Sequence, residues 1–170
     1  MSHTIRVGDV FLIPVDDSRF GVGQIAGNWK GELYVLVYEE ICSQSSADPE
    51  SVIDAKPLFA ALSLDAKIHH GDWPIIGNVT RNLAHIPQPV FKVDQGGQVF
   101  LESRDRSISR RASTSEAKCL RLRTVVAPVR LENALKAYYG VGDWNPRYDE
   151  LKADYAFDSS RVLQGPGGRS

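Results

Sequence analysis

Residues 8–38 read GDVFLIPVDDSRFGVGQIAGNWKGELYVLVY, and this stretch decides the fold. It contains three apolar runs, at residues 10–13, 20–25 and 33–38, separated by short polar segments. Valine, isoleucine, phenylalanine and tyrosine favour strands, whereas aspartate, asparagine, serine and glycine favour the turns between them. Three consecutive strands joined by short turns predict an antiparallel meander, which begins a curled sheet or a small barrel.

In the later part of the chain, the spacing of apolar residues changes. A hairpin is predicted at residues 90–101, and residues 64–69 alternate in polarity but could equally form a short helix. One face of an amphipathic helix contains Leu131, Ala134, Leu135 and Tyr138, and Gly140 is the residue expected just after its end. Residues 145–146, Asn-Pro, predict the start of a second helix. The apolar face of that helix would consist of Tyr148, Leu151 and Tyr155.

These elements predict an α+β protein. Its core would be a strongly curved antiparallel β-sheet or a small partly open barrel, followed by a C-terminal helical segment. We expect one domain over residues 1–156 and a flexible tail over residues 157–170, whose glycine- and proline-rich end cannot pack.

Composition excludes several classes of protein. The 170 residues are 42% hydrophobic and 24% charged with a net charge of −1, which is ordinary globular usage and unlike a polybasic membrane anchor. Two cysteines, Cys42 and Cys119, are too few for a secreted disulfide framework, although they could form one bridge. No signal-like segment and no apolar run of about eighteen residues is present. We therefore expect a cytoplasmic protein.

No sequence motif announces catalysis. His69, His70 and Asp72, with His85 further on, are the best candidates for a metal site, but adjacent histidines on a strand point to opposite faces. The same alternation argues against Glu39-Glu40 as an acid–base couple. Nucleotide-binding, serine-hydrolase and zinc-protease motifs are missing, and neither cysteine lies in a nucleophile motif. We predict no catalytic residue, no metal and no cofactor.

Charge is distributed unevenly along the chain. An acidic segment without lysine or arginine contains Glu32, Glu39, Glu40, Asp48, Glu50 and Asp54. A basic segment contains Arg104, Arg106, Arg110, Arg111, Lys118, Arg121 and Arg123, with two acids among them. The two segments could orient a charged partner, or they could neutralise each other across the sheet.

Three stretches resemble the immunity protein 26 family of bacterial polymorphic toxin systems. The opening is G-D-V-F-x-I-P-x-D-D-x-R-F-G-x-G-Q at residues 8–24, and the middle is F-A-A-L-S-L-D at residues 59–65 followed by H-G-D-W-x-I-I-G-N at residues 70–78. The ending is Leu135 to Gly140 followed by W-N-P-x-Y-x-x-L at residues 144–151. Residues 104–115 and the tail match this pattern least well.

The resemblance implies a protein that binds and neutralises a cognate toxin stoichiometrically, an intracellular effector such as a nuclease, and that is not an enzyme. An acidic face would suit a toxin that itself grips an anionic substrate. The predicted partner-binding residues are Asp16, Trp29, Glu39, Glu40, Asp48 and Glu50. Exposed tryptophans are frequent in interfaces, although Trp29, Trp73 and Trp144 could each instead cover the core.

Two other functions are open at this point. One is a nucleic-acid-binding module that uses the basic segment, and the other is a hydrolase or metal enzyme around the histidines at 69, 70 and 85. The partner expected from the resemblance is a toxin protein, whereas a membrane is not expected and nucleic acid is disfavoured by the net charge.

Overall fold

The computed structural model describes residues 4–163 and divides them into two compact units. Unit 1 runs to His85 and continues over Val125–Ala153, and unit 2 comprises Ile86–Thr124 and the described residues from 154 to 163. Both units contain antiparallel strands and helices, so the predicted α+β class is confirmed.

The elements are as follows in chain order: β1 (Asp9–Pro14), β2 (Phe20–Trp29), β3 (Glu32–Cys42), β4 (Pro57–Ser63), α1 (Ala66–His69), β5 (Ile75–Asn78), β6 (Val90–Gln95), β7 (Gln98–Ser103), β8 (Ser109–Arg111), α2 (Thr114–Cys119), β9 (Val125–Val126), α3 (Pro128–Tyr138) and α4 (Ala153–Ser160). Short 3-10 turns occupy Pro49–Ile53, Leu83–His85, Pro146–Leu151 and Arg161–Leu163.

Unit 1 is built on one open sheet whose strand order is β5-β1-β2-β3-β4-β9. All of its pairings are antiparallel except the short parallel pairing of β4 with β9. The predicted meander is present as β1, β2 and β3, and β4 extends it. The edges β5 and β9 are not paired with each other, so the sheet formed by the described residues does not close into a barrel.

The glycines of β2 allow close packing on both sides of the meander. A side chain at Gly23 would lie 2.5 Å from the ring of Phe11, and one at Gly21 would lie 2.4 Å from a methyl group of Leu135. Phe11 in turn stacks on Trp73 with ring centres 5.3 Å apart. The glycines of the opening motif therefore serve packing, because larger residues would push these fully buried side chains aside.

Helix α3 covers one face of this sheet. Leu131, Ala134 and Leu135 are fully buried in the main core, which confirms the predicted apolar helix face. The helix ends as predicted, with Gly140 just beyond it at a φ of +88°. Trp73 is also a core residue, and its indole nitrogen donates a 2.9 Å hydrogen bond to the buried Glu132.

Unit 2 contains a three-stranded sheet in the order β6-β7-β8, together with α2 and α4. The predicted hairpin is present as β6 and β7. A small core forms around Val90, Leu101 and Leu120. Beside it, the buried Glu102 carboxylate lies 3.3 Å from the guanidinium of Arg123, whose side chain is only 5% exposed.

The structure corrects the prediction for one segment and decides between strand and helix for another. The predicted second helix begins where expected, since the Asn145 side chain accepts a hydrogen bond from the Arg147 amide. Its continuation as one helix to Tyr155 is wrong, because Lys152 is extended, with a ψ of 141°, and separates the 3-10 turn from α4. The ambiguous residues 64–69 contain α1 rather than a strand.

The domain boundaries stay a prediction. Helix α4 runs continuously to Ser160, across the expected boundary after residue 156, and its Ser159 is buried and donates to the Ala156 carbonyl oxygen. The end of the expected tail, residues 164–170, lies outside the described residues. Among residues 4–163, no helix combines the length and the apolar character needed to span a membrane.

Candidate partner-binding site

The candidate site originates in an irregularity of β3. Gly23 pairs with Val37 and Gly21 pairs with Ile41, so the three residues Tyr38 to Glu40 face the single residue Val22. Such a bulge interrupts the alternation of side chains along a strand. Glu39 and Glu40 both line one groove, with Glu39 exposed and Glu40 half-buried, and the expectation that their side chains diverge stays a prediction.

The groove has a volume of about 320 Å³ and is lined by Glu39, Glu40, Ser51, Asp54 and Ala55. Its second wall comes from the 3-10 turn Pro49–Ile53 and the residues just after it. The Glu39 amide donates a 2.8 Å hydrogen bond to the Lys56 carbonyl oxygen and so ties this wall to β3. Three acidic residues thus line the groove, and none of its lining residues is basic.

Neighbouring contacts hold the second wall in place. The Asp48 side chain accepts from the Glu50 amide and caps the 3-10 turn. The Pro49 ring lies where a side chain at Gly77 of β5 would be, 2.7 Å from that position. Glu50 forms an ion pair with Arg81, and both side chains are largely exposed. These contacts fix the shape of the groove before any partner arrives.

Two polar atoms in the groove lack hydrogen-bond partners. Glu40 Oε2 and Ser51 Oγ each expose less than 1 Å², and neither forms a hydrogen bond within residues 4–163. Enclosed polar atoms are almost always paired, since leaving one unpaired costs about 1–3 kcal/mol. Because both atoms are closed off from solvent, a group from outside the chain could reach them only if neighbouring side chains moved.

Two tyrosines from the end of α3 stand next to the groove. Partial burial and a hydrogen bond with Glu39 raise the pKa of the Tyr138 hydroxyl. Tyr138 is nevertheless 42% exposed. Burial raises the pKa of Tyr139 to about 12, and the nearby charges of Tyr138, Glu39 and Glu40 contribute. The site therefore combines acidic residues with an exposed tyrosine, and tyrosine is enriched at protein interfaces whereas acidic residues are depleted there.

The same surroundings suppress nucleophilic chemistry. Burial, and then the charge of Glu40, raise the pKa of the Cys42 thiol, which disfavours the reactive thiolate. Cys42 and Cys119 are both free, so the single bridge considered from the sequence is not formed.

The predicted partner-binding residues do not all converge. Glu39 and Glu40 line the groove, and Asp48 and Glu50 belong to the turn that forms its second wall. Asp16 instead holds the β1–β2 turn, accepting from the Arg19 amide at 2.8 Å and from the Arg19 Nε at 2.7 Å.

Trp29 lies at the other end of the β2–β3 hairpin. It pairs with Glu32, whereas Phe20 pairs with Cys42 near the groove. Nine residues of strand separate the two ends, a distance of roughly 30 Å at about 3.3 Å per residue. Trp29 therefore cannot contact a ligand in the groove, and its role as a partner contact stays a prediction.

The residues behind the two other functions are arranged as follows. His69 and His70 follow one another at the end of α1, with their ring centres 5.5 Å apart, and both are exposed. Among residues 4–163, no three His, Cys, Asp or Glu side chains come together in a way that could hold a metal ion.

Part of the basic segment is paired with acids within unit 2. Arg123 and Arg106 contact Glu102, and Arg110 binds Glu116 through two hydrogen bonds at 3.0 and 2.8 Å. This local pairing lowers the positive charge that the segment offers to phosphates.

Comparison with known proteins gives one family match. A family model described as immunity protein 26 matches residues 6–99, which is more than half of the chain. The chain belongs to the immunity protein 26 family. No curated protein and no solved structure matches it.

The matched residues of this immunity protein include the whole meander, the bulge and both walls of the groove. They end at residue 99, so the resemblance noted at residues 135–151 stays a prediction. Family membership implies a protein that confers immunity to a toxin and has that toxin as its partner, a role that suggests binding rather than catalysis.

Several residues of the site could not be identified from the sequence. Asp54 belongs to the acidic segment but carries no sign of its position in the groove, and Ser51 is one of several serines in a polar loop. Tyr138 is predicted as part of the buried helix face, yet it is 42% exposed beside Glu39. The bulge that brings these groups together depends on strand register, which no local motif in the sequence specifies.

Proposed function

We propose that this immunity protein acts in the bacterial cytoplasm and neutralises a cognate toxin of a polymorphic or contact-dependent inhibition system. It does so by stoichiometric binding, with the acidic groove beside the bulge of β3 as its docking surface. The toxin would be an intracellular effector such as a nuclease. The observation that carries the proposal is the match to the immunity protein 26 family, and the groove lined by Glu39, Glu40 and Asp54 is the acidic surface that we assign to docking.

Electrostatics favours this surface over the rest of the chain. An effector that cleaves or binds nucleic acid presents basic residues around its active site, because it must neutralise phosphates. A groove with three carboxylates complements such a site, accelerates association and excludes like-charged partners. The groove is also held in shape by the contacts of Pro49 with Gly77 and of Glu50 with Arg81, so little ordering is needed on binding.

The test is co-expression with the C-terminal domain of the toxin encoded next to this gene. Cell survival and co-purification are scored for the natural protein, for the double variant Glu39→Gln and Glu40→Gln, and for Asp143→Asn. Asp143 is an exposed acid of unit 1 outside the groove, so its variant is the matched control. We expect rescue and a one-to-one complex for the natural protein and the control, and at least about tenfold weaker binding for the double variant.

The alternatives give different results. Survival without a stable complex would indicate an enzyme that reverses the toxin's damage. No rescue by the natural protein would contradict the proposed function and return attention to nucleic-acid binding by the basic segment.

A further inference from the structure

We infer that strand β8 of unit 2, together with a basic groove at its end, binds an extended, acidic segment of a partner protein. The residues involved belong to unit 2 and not to the acidic groove of unit 1. The inference therefore goes beyond the proposed function and does not depend on it.

The basic groove has a volume of about 400 Å³ and lies where β7 begins and β8 leads into α2. Two of its lining residues, Arg111 and Lys118, are basic, and none is acidic. Gln98, Ser113 and Thr114 add uncharged polar side chains to the lining. The groove thus offers positive charge and hydrogen-bond donors together, a combination that suits a carboxylate.

Arg111 and Lys118 differ from the other bases of the basic segment. Those other bases contact carboxylates, the ring of Tyr155 or the side chain of Gln88. The side chains of Arg111 and Lys118 form no ion pair or hydrogen bond with any described residue. Both residues are exposed, so the two charges that the segment leaves free lie on the same groove.

Strand β8 also presents a free backbone edge. It is the last strand of its sheet and, within the described chain, pairs only with β7. The Ala112 amide donates a 2.9 Å hydrogen bond to the Val99 carbonyl oxygen, so the backbone of Ala112 faces β7. Backbone groups alternate in direction along an antiparallel strand, and those of Ser109 and Arg111 therefore point away from β7. Such an edge is a template for another extended chain.

Charge decides between the possible occupants. A second copy pairing through β8 would bring Arg110 and Arg111 against the same arginines, and like charges on neighbouring strands destabilise their pairing. An acidic strand would instead place a carboxylate beside Arg111. Nucleic acid is held mainly by many phosphate contacts, whereas the free charges here are those of Arg111 and Lys118. An acidic polypeptide uses both the charges and the strand edge.

The experiment titrates the full chain at low ionic strength with the peptide acetyl-Glu-Val-Glu-Val-Glu-amide while amide NMR signals are followed. We expect saturable shifts at Ser109, Arg111 and Lys118. The variants Arg111→Gln and Lys118→Gln should each weaken binding about threefold, as for the loss of one exposed ion pair. Arg147→Gln changes an exposed arginine of unit 1, so it is the matched control and should bind as the natural protein does.

Two altered peptides separate charge from strand pairing. The peptide with glutamine in place of glutamate should bind about tenfold more weakly, as for the loss of both ion pairs. The acidic peptide with every peptide nitrogen methylated should not bind, because it has no N–H groups with which to pair as a strand. All protein variants change exposed side chains and are expected to fold, which urea denaturation checks.

Four results would overturn the inference. They are no saturable shift with the acidic peptide, equal binding of the glutamine peptide, retained binding of the methylated peptide, and unchanged binding in both Arg111→Gln and Lys118→Gln. Tighter binding of oligothymidylate than of the acidic peptide would also overturn it and would favour a nucleic-acid surface.

Discussion

Replacing Gln24 by leucine tests how the opening motif of the chain holds unit 1 together. Gln24 is fully buried, and its amide nitrogen donates to the Val79 carbonyl oxygen at 2.6 Å and to the Asn82 side chain at 3.0 Å. Its amide oxygen accepts from the Tyr38 hydroxyl at 2.6 Å and from Asn82 at 2.9 Å. This side chain of β2 thus connects β3 and the segment after β5.

The expected cost follows from the groups left behind. Leucine is similar in size but would leave the Val79 carbonyl oxygen without this donor and the Tyr38 hydroxyl proton without its acceptor. Each such buried group costs about 1–3 kcal/mol, whereas the half-buried Asn82 can turn to water. We therefore expect Gln24→Leu to lower the free energy of unfolding by about 2–4 kcal/mol.

The assay is a double-mutant cycle with Tyr38→Phe, measured by urea denaturation. All three tryptophans lie in unit 1, so their fluorescence reports the unfolding of that unit. Because the two single variants lose the same hydrogen bond, the double variant should be more stable than their sum predicts by about 1–2 kcal/mol. Gln44→Leu, at an exposed loop position, is the control and should change stability by less than about 0.5 kcal/mol. A loss below about 1 kcal/mol for Gln24→Leu, or strict additivity, would refute this account.

Three further predictions concern other parts of the molecule. Arg123→Met should destabilise unit 2 by about 3–5 kcal/mol, because it leaves the buried Glu102 carboxylate without its nearest guanidinium. Hydrogen exchange of the β7 amides measures this loss, and unchanged exchange rates would contradict it. Burial raises the pKa of Tyr38 to about 12, so between pH 10 and 12 only the tyrosine of the unfolded chain ionises. The protein should therefore lose stability as the pH rises through this range, and the urea midpoint of unfolding should fall. Cys119 is exposed, whereas burial and a neighbouring carboxylate raise the pKa of Cys42. A thiol reagent at neutral pH should therefore modify Cys119 first. Peptide mass spectrometry measures the two modification rates, and equal rates would refute this prediction.

The meander could be predicted because the strand propensity, the apolar pattern and the burial of its residues all indicate the same structure. Residues 33–38 are apolar and largely β-branched or aromatic, and all six are buried in β3. The polar segments between the runs form the turns, and the amphipathic face of α3 packs on the core as its spacing predicts. Local pattern and tertiary packing select the same structure here, which is the condition under which sequence reasoning succeeds.

Unit 2 shows where such reasoning stops short. Helix α2 is not among the predicted elements, although Ser113 and Glu116 form a capping box that the spacing Ser-x-x-Glu could have revealed. Strand β8 is exposed throughout and carries serine and arginine, so it has neither apolar alternation nor strand propensity. Its pairing with β7 is a tertiary effect.

The groove shows a different limit. The strand β3 bulges opposite Val22, and a bulge changes the face to which later side chains point, so simple alternation could not predict the surroundings of Glu39 and Glu40. Trp73 stands beside polar turn residues in the sequence, yet it stacks on Phe11 in the core. In both places the register of distant strands, rather than local composition, decides which residues reach the surface.

The central claim is that the acidic groove binds the toxin, and the affinity of the toxin complex for the Glu40→Gln variant tests it most directly. Calorimetric titration of the toxin domain into the natural protein, Glu40→Gln and Asp143→Asn gives the dissociation constant of each. The account predicts a one-to-one complex that is weakened at least about tenfold by Glu40→Gln and unchanged by Asp143→Asn. Equal affinity for all three proteins would contradict it and place the toxin on another surface.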